Sequence, residues 1–245
     1  HEVFDGNTAE APTLEPALKK VLARYPHIRR LVVVADRGLL SLDNIQALSK
    51  LQEAAGRTLE FILAVPGRRY GEFVDLVQPI SQQAAQAGEE IVQEVQWQGH
   101  RLVVAHNPRQ AAQQTQDRLS RIHALEQRAA QLTGKLDAQD GGKVQRGRKL
   151  SDSGAKARFF HEVSDAHLAR IIKVDLKSDL FTYCIDEAAL ARAQLMDGKL
   201  MLVTNVQDMK AADVVRRYKS LADIGRLFNV LKSEIEIAPV FHRLP

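Results

Sequence analysis

"RRLVVVAD", residues 29–36, is a valine-rich, nearly continuous apolar run that ends on a carboxylate. A run this short and this apolar suits a strand buried on both faces of a sheet. On its N-terminal side, "TLEPALKKVLARY" (13–25) puts Leu14, Leu18, Val21 and Leu22 on one helical face, with Thr13 placed to cap it. On its C-terminal side, "LDNIQALSKLQEAAG" (42–56) is a second amphipathic helix ended by Gly56. "LEFILAVP" (59–66) is another buried strand, stopped by Pro66. Helix–strand–helix–strand order predicts an α/β sheet.

After Pro66 the texture changes. Residues 68–90 are mixed and helical in part, and "EEIVQEVQWQGHRLVVAHNP" (89–108) predicts a hairpin turning at Gly99. Residues 109–139 read as one long helix, whose Ile122, Leu125, Ala129, Leu132 and Leu136 step by three and four. That is about two heptads, too few to argue for a coiled coil, so a packing stripe is favoured over an oligomer seam. "GGKVQRGRKLSDSGAKAR" (141–158) reads as a basic loop. It either contacts DNA phosphates, with Arg146, Arg148 and Lys149 as the ligands, or is a solvated linker. Residues 169–186 predict one or two strands, 187–196 a short helix ended by Asp197-Gly198, 199–205 a buried strand, and 210–234 a final helical stretch that can bend into two. The α/β texture thus occupies 1–66 and 198–245, and 67–197 reads as an insertion.

The chain has 245 residues, of which 45% are apolar, so a sizeable core can form. The formal charge of +4 is a mild basic excess, compatible with a polyanionic partner but not diagnostic of one. Cys184 is the one cysteine, which excludes an internal disulfide and a cysteine zinc cluster and fits a reducing, cytosolic setting. No apolar run approaches the roughly 20 residues that span a bilayer, so no membrane partner is expected. The chain begins at His1, and "HEVFDGN" starts as if within a strand, so a piece of a longer protein is expected. The eight histidines are scattered, and G-x-S-x-G, G-x-G-x-x-G and H-E-x-x-H are absent. That weighs against serine hydrolases, Rossmann dehydrogenases and zinc hydrolases. "GKVQRGRK" also fails as a phosphate loop, since it has Arg148 and Lys149 where lysine and Ser/Thr are needed.

Two places could carry chemistry. Asp36 follows the strand and precedes Arg37-Gly38, where open α/β sheets place ligands, and its carboxylate could hold Mg²⁺. It could equally be a turn acid satisfied by backbone N–H groups. The second place is "YKSLADIGRLFNVLKSE" (218–234), a good helix carrying Gly225 in its middle. A glycine there costs roughly 1 kcal/mol against alanine. Tyr218, Gly225 and Lys232 are spaced by seven and share one helical face. A tyrosine and a lysine on such a face mark either a functional stripe or an amphipathic seam with a snorkelling lysine.

"EVFDGNTAEAPTL", "VVVADRGLLSLDNIQAL", "DGKLMLVTN" and "VVRRYKSLADIGRLFNVLKSEIEIAPVFHRLP" together resemble bacterial insertion-sequence DDE transposases, the group with a Tyr-Arg-Glu-Lys signature in the last catalytic helix. The resemblance covers about half the chain, in order. It implies a ribonuclease H-like fold interrupted by an α+β insertion at 67–197, with the first core strands missing. It implies three carboxylates holding two Mg²⁺ ions for phosphodiester cleavage and strand transfer. The partner would be double-stranded DNA, both transposon ends and target, with a homodimer also considered, and the location the bacterial cytoplasm at the nucleoid. By this resemblance Asp36 matches the second acid, Tyr218 the signature tyrosine, and Lys232 a lysine that contacts DNA phosphate. The signature expects arginine and glutamate where this chain has Leu221 and Gly225. Gly225 replaces the third metal ligand, and Asp223 and Glu234 face elsewhere. The first acid would lie upstream. A catalytically dead segment is therefore expected. The alternatives are a non-catalytic DNA-binding or dimerising transposase remnant, and an unrelated α/β enzyme centred on Asp36.

Overall fold

A computed structural model describes residues 13–36, 42–142 and 149–223. Within them the protein is mixed α/β, with a five-stranded mixed sheet, a two-stranded hairpin and seven α-helices. The chain divides into two compact units, one of residues 1–106 and 199–245 and one of 107–198.

In the first unit, α1 (Leu14–Arg24) leads into β1 (Arg30–Ala35), α2 (Leu42–Ala55) and β2 (Thr58–Ala64). β1 and β2 pair in parallel from Arg30↔Thr58 to Ala35↔Leu63. The crossover is α2, closed by Gly56 at φ +59°, a left-handed value that favours glycine. A 3₁₀ turn (Gly67–Phe73) and α3 (Val74–Ala87) follow, then β3 (Ile91–Trp97) and β4 (His100–His106). The β3–β4 hairpin turns on Gln98 and Gly99, both at positive φ (48° and 78°). That is the primed turn that matches strand twist. β7 (Lys199–Thr204) inserts between β2 and β4, antiparallel to both, giving the order β1-β2-β7-β4-β3.

Strand periodicity sorts this core into two faces. Ile62, Ala64, Val103, Ala105 and Leu202 point to one side, where Val214 and Val215 of α7 (Ala211–Lys219) cover them. Phe61, Leu63, Leu102, Val104, Met201 and Val203 point to the other, all at 2% exposure or less. There α2 runs against β2, and α3 against β3 and β4. β2 is buried along nearly its whole length, as its apolar run predicts. β1 is not: its valines are half-buried, because β1 ends the strand order among the described residues.

The sheet also moves a boundary. The sequence reading starts the insertion at 67, but residues 67–106 belong to the first unit. The reason is pairing: β4 joins β7 over six residue pairs, from Arg101↔Thr204 to His106↔Lys199.

The second unit holds α4 (Pro108–Asp140), α5 (Asp152–Asp165), β5 (Ile172–Val174), β6 (Tyr183–Ile185) and α6 (Glu187–Met196). Its helix starts are capped by Asn107, Ser151 and Asp186, whose side chains accept from the N–H of Gln110, Gly154 and Ala189. The α4 stripe Ile122, Leu125, Ala129, Leu132 and Leu136 packs on Ala155, Phe159, Val163, Leu168, Ile171 and Ile172. It is a packing stripe consumed within this unit. The predicted loop 141–158 is shorter than expected: from Asp152 it is helix, since Ser151 caps a segment whose Ala155, Phe159 and Val163 recur every four residues. The two ends of the unit meet, with Asn107 N–H donating to Gly198 C=O at 2.9 Å. Arg118 forms a bidentate pair with the buried Asp197 at 2.6 and 2.7 Å, and Thr115 Oγ1 donates to the same carboxylate at 2.7 Å.

Candidate functional site

The first unit brings together two residues singled out in the sequence. Asp36 stands immediately after β1, and Tyr218 lies in the last turn of α7. The Tyr218 hydroxyl donates to Asp36 Oδ1 at 2.7 Å, across 182 residues of chain.

Helix α7 reaches that point for local and tertiary reasons. Asp213 lies in its first turn and Arg216, Arg217 and Lys219 in its last, the arrangement that complements the helix dipole. Val214 and Val215 fix which side faces the sheet. Arg30 pins the approach: its guanidinium forks onto Asp208, with both distances 2.6 Å, and its Nε donates to Glu60 at 2.6 Å. The first residue of β1 therefore holds the segment entering α7, and the carboxylate just beyond β1 holds the tyrosine near its exit. From Arg30 to Asp36 a strand rises about 20 Å. From Asp208 to Tyr218, a short extended lead and a nine-residue helix cover a similar length. The helix thus runs along β1 toward the strand end where α/β sheets hold ligands. Lys219 Nζ fastens the same turn to Glu90 Oε1 at 2.7 Å. The Arg30 contacts also hold the Asp208 carboxyl below its usual range.

A two-metal centre needs several carboxylate oxygens directed at one point. Among the described residues no three His, Cys, Asp or Glu side chains converge in that way. Asp36 offers a single carboxylate, with one oxygen engaged by Tyr218. These residues do not fit a pair of Mg²⁺ ions. Gly225, Lys232, Arg146 and Arg148 lie outside the described residues.

Lys149 belongs to the second unit, whereas Asp36 and Tyr218 belong to the first. It is exposed and lines a cavity of about 370 Å³ with Lys135, Gln139, Leu150, Ser151, Gly154 and Arg158. The sequence reading did not single out Lys135 or Arg158. A signal existed: Arg121, Arg128 and Lys135 are spaced by seven on α4.

The site is that of an α/β protein with a carboxylate–tyrosine pair at a strand end and a second compact unit carried between two sheet strands. No family model, curated protein or solved structure significantly matches the chain. Among the described residues no helix is long and apolar enough to cross a membrane.

Proposed function

We propose that the chain is a segment of an insertion-sequence DDE transposase with a ribonuclease H-like core, one that binds double-stranded DNA in the bacterial cytoplasm but does not cleave it as it stands. The observation that carries the reading is the 2.7 Å bond between Tyr218 and Asp36. The resemblance requires the signature segment, residues 218–234, to approach the second acid; α7 carries its first residue, Tyr218, to Asp36 and ends at its C-cap, Ser220. The alternative of an unrelated Asp36-centred enzyme expects the partners of Asp36 away from the last helical stretch, and Tyr218 lies on it. Lack of cleavage belongs to this reading because Gly225 stands where the resemblance places the third metal ligand, and two divalent ions that offset a phosphodiester's charge need clustered carboxylates. Mg²⁺ would belong to the intact family site, with Gly225 at the position of the lost glutamate and Lys232 beside it as a phosphate contact.

Metal affinity tests this without requiring turnover. Mn²⁺ binding, read by electron paramagnetic resonance, should be weak in the chain and tighten about tenfold or more in Gly225→Glu, as a second carboxylate joins the first. Asp36→Asn in the Gly225→Glu background should remove the gain. Equal Mn²⁺ binding with and without the glutamate would refute the register. Mg²⁺-dependent nicking of duplex DNA by the unaltered chain would refute the loss of catalysis.

A further inference from the structure

The facing sides of α4 and α5 are matched along most of their contact and mismatched at one end. Arg121, Arg128 and Lys135 fall within about 40° of one another on α4. Ala166, Glu162 and Arg158 recur every four residues at α5. Arg121 Nη1 donates to the Ala166 carbonyl at 3.0 Å. Arg128 Nε bridges both Glu162 oxygens at 3.1 and 3.0 Å. At the third step the partners are Lys135 and Arg158, two cations, and Lys149 joins them in the same cavity. No carboxylate lines that cavity, and none of the three cations has an ion-pair partner among the described residues. Some arginines do sit on an acid, among them Arg30, Arg69, Arg101, Arg118, Arg128 and Arg216. Cations that line one cavity repel unless an anion joins them.

The geometry points to an anchoring site for the phosphodiester backbone of double-stranded DNA, formed by Lys135, Lys149 and Arg158 in the second unit. It extends the proposed function, on which it rests for the choice of DNA, and lies apart in sequence from the Asp36 site. The lining selects phosphate rather than base. Among the described residues no aromatic ring borders the cavity and Leu150 is its one apolar side chain, a lining that favours phosphate over a stacked nucleobase. The wall is built and fixed: Gln139 takes the Leu150 N–H at 2.7 Å and returns its own N–H to the Leu150 carbonyl at 3.0 Å. The three cations lining the cavity carry more charge than a single phosphate requires. A duplex presents a row of phosphates to such a surface and is held through counterion release.

The experiment is duplex binding by the full chain, followed by fluorescence anisotropy across a salt series. Lys135→Gln, Lys149→Gln and Arg158→Gln are combined. All three side chains are exposed, so the fold should persist by circular dichroism. Affinity should fall about ten- to a hundredfold near 0.1 M salt, and the log–log salt slope should shrink by about 2–3, close to one per lost phosphate contact. A charge-matched control, Lys173→Gln, Lys177→Gln and Arg192→Gln, removes three other exposed cations of the same unit and should keep the parent slope. A parent slope in the first triple variant, equal losses in both triples, or no duplex binding by the parent chain would each overturn the assignment. Mn²⁺ binding reports the Asp36 site separately, so failure there leaves the salt slope as an independent result.

Discussion

Gly198→Ala should unfold the second unit more readily than any other single-methyl addition at a described glycine. Gly198 sits at φ +66°, and a Cβ built there would lie 2.4 Å from the Asn107 carbonyl oxygen, 2.7 Å from Ala111 Cβ and 2.8 Å from Ala111 N. Two of these obstacles are backbone, which cannot swing aside. The left-handed conformation alone costs an alanine roughly 1–2 kcal/mol. Relieving the clash must also stretch the bonds that Gly198 makes to Asn107 at 2.9 Å and to Gln114 at 2.8 Å. Each such bond contributes about 1 kcal/mol net. The expected total is about 3–5 kcal/mol, a large part of a typical domain's stability. Gly56→Ala is the internal standard: φ is +59° but nothing lies within 4 Å of the added carbon, so only the conformational cost of roughly 1–2 kcal/mol should appear. Urea denaturation by far-UV circular dichroism, dominated in this unit by the 33-residue α4, gives the difference directly. Trp97 fluorescence, from the first unit, should report a smaller change. If Gly198→Ala costs no more than Gly56→Ala, the close approach at the neck of the second unit is wrong.

Asp197→Ala should cost about 3–5 kcal/mol in the same assay, because it strands Arg118 with its guanidinium largely buried. Asp197→Asn should cost less, since the amide oxygen still accepts from Thr115. Residues 107–198 expressed alone should melt cooperatively, as the unit carries its own core; a dispersed amide spectrum would support this and a collapsed one would not. Asp208 contributes to the acid behaviour of the first unit. Its folded pKa lies below the unfolded value, so its contribution is complete above the usual carboxylate pKa of about 3.9 and is lost as pH falls through that value toward the folded one. Arg30→Gln should flatten this part of the pH–stability curve, and a curve identical to the parent's would count against the Arg30–Asp208 contact.

Much of this architecture was legible locally. The valine-rich run at β1, the run at β2 and the Gln98-Gly99 turn each declared an element through composition over fewer than ten residues. The boundary at residue 67 was misplaced because strand pairing is not a local property. Nothing within residues 91–106 says that β4 will lie beside β7, almost a hundred residues later. The start of α5 was hidden by composition, since Ser151, Ser153 and Gly154 look like linker until Ser151 is seen to cap a four-step apolar stripe. At the candidate site, seven-residue spacing draws attention to Tyr218, whose ring packs on the core while its hydroxyl reaches Asp36, a contact that spacing alone does not specify. Arg158 falls within the basic stretch 141–158 but, like Lys135, is not marked individually. A lone surface cation is unremarkable, and only the pairing of its neighbours on two helices shows that an acid is missing.

The last pair of the β4–β7 ladder is His106 with Lys199, and the bond between Asn107 and Gly198 closes just beyond it. As far as the sheet is concerned, residues 107–198 occupy the place of a hairpin loop. What happens past that neck adds nothing to the separation the two strands must span. Even doubling the length of a flexible excursion raises its closure cost by only about 0.6 kcal/mol. A core arranged in this way is permissive: it can accept, exchange or shed whole modules between these two strands while its ladder stays in register. The region most open to evolutionary replacement is thus attached at the point where the scaffold would notice it least.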